Sequence, residues 1–168
     1  TGKTYVYLRT IFELSRRYGF LKFAIVVPSV AIREGVLKHI QITADHFRAL
    51  YNNLPFEHFV YDGKRVNRLR QFTTSSTLQI MVINIDAFRK NFAGTEAERK
   101  SNVIYKESDR LSGRQHIQFV QAARPIVIVA EPQRVDPTDR APVANRARKR
   151  MCTRAYTPTP RNPHNLLR

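Results

Sequence analysis

Three stretches of this chain are almost unbroken runs of apolar, mostly β-branched residues: "KFAIVVPS" (22–29), "TLQIMVINI" (77–85) and "PIVIVAEPQ" (125–133). A strand with one face in water alternates apolar and polar residues, and these do not. Each must be covered on both faces, which is the situation of a strand inside a parallel sheet with helices on either side. The segments between them fit that plan. In "YVYLRTIFELSRRYGF", Tyr7, Ile11 and Leu14 recur at helical spacing, Leu8 and Phe12 widen the stripe, and Arg16, Arg17 and Gly19 supply end signals, so a helix opens at about residue 4. Residues 30–53 read as helical, in two pieces broken near "QIT". "FEHFVY" (56–61) alternates as a strand ahead of an Asp62-Gly63 turn. The polar stretch 91–113 reads as a long surface insertion, and a helix over 114–123 leads into the third run. The expected class is α/β: a mostly parallel sheet flanked by helices.

The chain has 168 residues, enough for one domain with a real core, and it contains no internal repeat. Its 29 Lys and Arg against 13 Asp and Glu give a net charge of +16, which points to a polyanionic partner, nucleic acid first. No apolar run reaches the roughly 18–20 residues of a membrane span, and no secretory signal pattern opens the chain. The lone Cys152 has no partner for an internal disulfide and fits a reducing cytoplasm. His39, His46, His58, His116 and His164 lack metal-ligand spacing. From Arg134 the composition shifts. Residues 134–168 hold nine basic residues, two aspartates and five prolines, which reads as a basic, irregular and poorly ordered continuation of a 1–133 domain.

The first four residues are "TGKT". A phosphate-binding loop follows G-x-x-x-x-G-K-[ST], because glycines let backbone N–H groups face the phosphates, Lys neutralises their oxygens and Ser or Thr holds Mg²⁺. Gly2, Lys3 and Thr4 supply its last three signature positions and sit where the first helix opens. On their own the four residues can also be an ordinary terminus. The partner such a loop needs is an acid at the end of a neighbouring buried strand, and in "VIVAEPQ" Glu131 follows an apolar run and Ala130.

With these blocks in view, the chain resembles the Res subunit of type III restriction-modification enzymes, whose motor is a superfamily 2 helicase-like translocase. The resemblance runs through "TGKTYVYLRTIFELSRRYGFLKF", "IVVPSVAIREGV", "FRALYNN", "IMVINIDAFRKNF", "ESDRLSGRQ", "QAARPIVIVAEPQ" and "RNPHNLLR", essentially the whole chain. It implies the first RecA-like P-loop NTPase domain of the motor, here lacking the first strand and the front of the loop, with the nuclease domain elsewhere. It implies ATP with Mg²⁺ as cofactors, double-stranded DNA as partner, and a modification methyltransferase subunit that supplies sequence specificity.

Carried over by position, Gly2, Lys3 and Thr4 match the end of Walker A, with Thr4 as the Mg²⁺ ligand. Pro28 and Ser29 match the motif that grips the DNA backbone. Asn84, Asp86 and Phe88 lie at the end of the third motif strand, with Asn84 facing DNA. Glu131, Pro132 and Gln133 match the D-E-P-Q box, with Glu131 as the catalytic acid, Gln133 at the nucleotide, and Ala130 where the box has Asp. The S-A-T-H motif falls on Thr157, Pro158, Thr159 and Pro160, so three of its four residues are replaced. Bland roles remain open: Ser29 can end a strand in a turn, Asp86 can cap a helix, and Arg146, Arg148, Lys149 and Arg150 can be a solvated face. The reading is an ATP-dependent translocase domain with little or no catalysis alone. Its rival is a degenerate, non-enzymatic basic module that binds nucleic acid, and a P-loop kinase fits less well because no acceptor site is visible.

Overall fold

The computed structural model describes residues 2–62, 65–86, 123–134 and 153–156. Five parallel strands form one sheet: β1 (Lys22–Val27), β2 (Phe56–Val60), β3 (Leu78–Asn84), β4 (Ile126–Ala130) and β5 (Thr153–Tyr156), in the spatial order β2-β3-β1-β4-β5. Among the described residues three helices pack with them, α1 (Lys3–Tyr18), α2 (Val30–Leu50) and α3 (Val66–Thr74), and a 3-10 turn (Pro132–Arg134) follows β4.

The three apolar runs are β1, β3 and β4, the central strands, and the period of two sorts their side chains between two cores. Phe23, Ile25 and Val27, with Leu78, Ile80, Val82, Ile126, Ile128 and Ala130, pack with the buried stripes of α1 and α2. Ala24, Val26, Met81, Ile83, Val127 and Val129 face the other way, where Leu69 and Phe72 of α3 meet them. The unbroken hydrophobicity thus has its physical cause in a sheet covered on both sides.

Aromatic rings join α1 to α2. Phe12 stacks on Phe47 at 4.7 Å between centroids and on Tyr51 at 5.3 Å, and meets the edge of Phe56 from β2 at 5.0 Å. Polar contacts fix the same joint: the Tyr51 hydroxyl donates to Glu13 Oε1 at 2.9 Å, and that carboxylate also receives Arg17 at 2.9 Å. The Tyr51 hydroxyl is the main reason the Glu13 carboxyl is held below its ordinary pKa. Gly19 ends α1 at φ 72°, a left-handed position where glycine carries no Cβ penalty, and its N–H reaches Ser15 O at 2.9 Å.

Three readings change. Residues 30–50 form one helix of 21 residues, not two pieces. Val36, Ile40 and Phe47 keep one buried stripe running past "QIT", and the Thr43 hydroxyl donates to His39 O at 2.7 Å, so nothing there competes with the helix. Helix α3 has no counterpart in the sequence reading, though Leu69 and Phe72 at i, i+3 carried its signal. The basic tail, expected to be irregular, contributes β5, which pairs Val127 with Thr153 and Ala130 with Tyr156 and so satisfies the backbone groups along the outer side of β4. The 91–113 insertion, the 114–122 part of the expected helix and Gly63 lie outside the described residues.

Parallel strands all point the same way, so β1, β3 and β4 end at one edge, where α1 and α2 begin. Open α/β sheets place ligands there. One residue near that edge is out of character: Gly35, in the interior of α2, where glycine costs about 1 kcal/mol relative to alanine.

The Phe12 stack is the test of this packing. Phe12→Ala is expected to destabilise the chain by about 3–5 kcal/mol in urea unfolding, while a loss under about 1 kcal/mol would mean that α1 and α2 are held together in some other way.

Candidate functional site

Helix α1 begins at the strand-end edge with its N-terminus unsatisfied by its own sequence. Gly2 is the N-cap and offers no side-chain bond, and no acid lies in the first turn. The first N–H groups of a helix lack intrahelical partners and carry the positive end of its dipole, so they attract negative charge. An acid from much later in the chain stands beside this first turn instead. Lys3 Nζ donates to Glu131 Oε1 at 2.9 Å across 128 positions of sequence, with the two side chains 31% and 23% exposed.

Glu131 holds its place at a conformational cost. Its φ is +54°, the left-handed region that a residue with a Cβ adopts at a penalty of about 1–2 kcal/mol. Strand β4 ends at Ala130, and the chain turns through Glu131 into the 3-10 segment, closed by Arg134 N donating to Glu131 O at 2.9 Å. This turn swings the carboxylate back over the start of α1. Strained backbone that presents a charged side chain at a strand end is characteristic of functional sites.

Lys3, Thr4 and Tyr7 of α1 line one wall of a cleft of about 370 Å³, and Ala130, Glu131 and Arg134 line its end. The opposite wall is α2, through Ile32, Gly35, Val36 and His39. Burial pushes the Tyr7 phenol up to about 12, the Thr4 hydroxyl holding it down and the Glu131 charge adding to the rise. Tyr7 is therefore a neutral hydroxyl beside Thr4 at all physiological pH. Lys3, Arg134 and the start of α1 stand against one carboxylate, so the lining carries an excess of positive charge with an acid at its end.

The cleft unites Lys3, Thr4, Ala130 and Glu131 from the sequence reading. Gly2 is the N-cap of α1 and does not line the cleft, and Gln133 lies in the 3-10 turn beyond Glu131. A Cβ at Gly2 would meet nothing within 4 Å, and its φ is −64°, so the fold itself does not demand glycine there. Pro28, Ser29 and Asn84 share the same sheet edge but do not line the cleft. The Ser29 hydroxyl caps α2, accepting Ile32 N–H at 3.3 Å. Asn84 is in register with Val27, and its amide oxygen is buried with no hydrogen-bond partner among the described residues. Asp86 is exposed just beyond. Phe88, Thr157–Pro160 and the basic run at 146–150 lie outside the described residues.

Tyr7, Gly35, His39 and Arg134 were not picked out as site residues from the sequence. The spacing 32, 35, 36 and 39 is one helical face and was visible, but nothing in it told which side of α2 would look across at α1. Among the described residues there is no cluster of three or more His, Cys, Asp or Glu that could hold a metal, and no helix long and apolar enough to cross a membrane.

Known proteins are similar to this chain in sequence. The family model described as "Type III restriction enzyme, res subunit" matches residues 1–132, so it takes in the whole cleft except Arg134 and leaves out β5. The type III restriction-modification enzyme StyLTI Res subunit of Salmonella typhimurium is 32% identical over 151 residues, covering 80% of this chain and 14% of that protein. The EcoP15I Res subunit of Escherichia coli is 43% identical over 53 residues, 30% of this chain and 6% of that protein. The chain thus spans a small part of the length of these relatives.

Proposed function

This chain belongs to the family of type III restriction enzyme Res subunits, and from that premise we propose that it is part of their ATP-dependent, helicase-like DNA translocase, with the cleft as the phosphate end of an ATP-Mg²⁺ site. The observation that carries the reading is the Lys3–Glu131 pair, which joins the last residues of a Walker-type loop to the acid of an E-P-Q turn at a helix N-terminus. Phosphate oxygens satisfy Lys3 and the first N–H groups of α1 better than one carboxylate oxygen does. Lys3 then releases Glu131, whose carboxylate is free to accept a proton from an attacking water or to orient it. Each residue thus keeps the other from misdirected contacts until the ligand arrives.

The donor set fits a polyphosphate well. It fits Mg²⁺ less completely: Thr4 offers a hydroxyl, but position 130, buried at 3% exposure and lining the cleft, carries a methyl group where the D-E-P-Q box has an acid. The bound cation would screen the phosphate charge and polarise the transferred group. With only the Thr4 hydroxyl to hold it, turnover by this chain is expected to be slow or absent, and Ala130 is the observation that favours the second reading, a basic module that binds without hydrolysing.

DNA is the proposed second ligand. Ser29 caps α2 at the same edge, and the start of that helix offers N–H groups to a phosphate of the backbone, a contact that positions the duplex without reading its sequence. Specificity would then come from a modification methyltransferase subunit. In this arrangement the buried oxygen of Asn84 faces no solvent, so a role for Asn84 at DNA requires its amide to turn outward on binding.

Two outcomes are expected. The purified chain binds ATP weakly, and Lys3→Ala lowers that affinity at least tenfold in calorimetric titration; an unchanged affinity would separate the cleft from nucleotide. DNA binding is non-specific, and its log affinity falls linearly as log salt rises, as the +16 charge requires. A salt-independent affinity, or none at low salt, would contradict the DNA assignment.

A further inference from the structure

The charge along the cleft runs the wrong way for a metal ion. Lys3 and Arg134 bring positive charge to the lining, and Glu131 is its one carboxylate among the described residues. That carboxylate is already engaged, since Lys3 Nζ donates to its Oε1 at 2.9 Å. Arg134 is exposed and pairs with no acid among the described residues.

Proteins hold Mg²⁺ through one or two carboxylates together with the phosphates it bridges, because it demands oxygen ligands in near-octahedral order and gives up its waters reluctantly. The side-chain oxygens on this lining are the Thr4 hydroxyl, the Tyr7 phenol and a carboxylate bound to an ammonium. Bringing a divalent cation to Glu131 means displacing Lys3 and leaving like charges side by side. Ala130, where β4 ends, lines the cleft and supplies nothing to a metal.

The negative charge of a polyphosphate still has to be screened. A guanidinium can do this, being always protonated and offering planar donors that match phosphate oxygens in pairs. The 3-10 turn after β4 carries Arg134 onto the lining that Ala130 leaves without a carboxylate, and its N–H closes the turn on Glu131 O at 2.9 Å. A divalent cation bound to the phosphates would cancel two of their charges and weaken their attraction to Lys3 and Arg134 alike.

Building on the reading of this cleft as a phosphate site, we propose that it takes the polyphosphate free of divalent cation, with Arg134 supplying the screening that Mg²⁺ would otherwise supply. Mg²⁺ then weakens binding instead of strengthening it. The phosphate site stands as described, and only its metal is replaced.

The test is calorimetric titration of the full chain with ATP, in EDTA and in excess Mg²⁺ at matched ionic strength. The unmodified chain is expected to bind about threefold or more tightly in EDTA. Arg134→Gln should weaken binding about fivefold in EDTA and less than about twofold in Mg²⁺, where the metal already screens the phosphates. Ala130→Asp should reverse the order and bind ATP more tightly in Mg²⁺ than in EDTA. Arg134 is exposed, so its variant decides the matter if a buried carboxylate at position 130 prevents folding. Equal or tighter binding of the unmodified chain in Mg²⁺, equal loss in the two conditions for Arg134→Gln, or an unchanged preference in a folded Ala130→Asp would overturn the proposal and leave the phosphate site standing. If the unmodified chain binds ATP in neither condition, the phosphate site fails and the proposal with it.

Discussion

Everything at the functional edge depends on the parallel ladder of β3, β1 and β4. Phe23 is in register with both Ile80 and Ile126, so the three strands advance together, and because all run the same way they end together. An antiparallel partner would have carried one of these ends to the opposite side of the molecule. The ladder exists because helices bury both of its faces, and alternate residues of each strand feed two separate cores. The packing energy is therefore spent far from the site, in Phe12, Phe47, Phe72 and the strand side chains, and the strand-end residues are left free for chemistry.

Several residues at that edge act against the stability of the fold. Glu131 sits at a positive φ with a Cβ, Gly35 weakens α2, and the start of α1 has neither a side-chain cap nor an acid of its own. The Lys3–Glu131 pair offsets little of this, since a partly exposed ion pair contributes about 0–1 kcal/mol. Local choices that conflict with the fold and cluster in one place are what a binding site leaves behind. Ala130 runs the other way: it is buried in the core that the sheet shares with α1 and α2.

Much of the fold was legible because its signals are local. A buried strand announces itself through Phe23–Val27 or Ile126–Ala130 alone, and the end of α1 through Arg16, Arg17 and Gly19. Failures came where a distant contact decides. The stripe Val36, Ile40, Phe47 holds α2 together across "QIT" only because α1 brings Phe12 against it. Strand β5 has little strand character of its own and is drawn in by the open side of β4. At the site, Lys3, Thr4 and Glu131 were readable from motifs. Gly35 and His39 were not, because which face of α2 looks across at α1 is decided by packing that no spacing rule encodes.

The central claim is that Lys3 exchanges Glu131 for a phosphate, so the carboxylate is a competitor of the ligand it later serves. The most direct measurement is the affinity of Glu131→Gln for a non-hydrolysable ATP analogue, which removes the competing charge and keeps the side chain's size. A pair of this exposure is worth up to about 1 kcal/mol, so at about 1.4 kcal/mol per tenfold the account predicts binding several-fold tighter than in the unmodified chain. Weaker binding in Glu131→Gln, with the fold intact, would mean that Glu131 holds the ligand directly and that the pair with Lys3 is not what the nucleotide displaces.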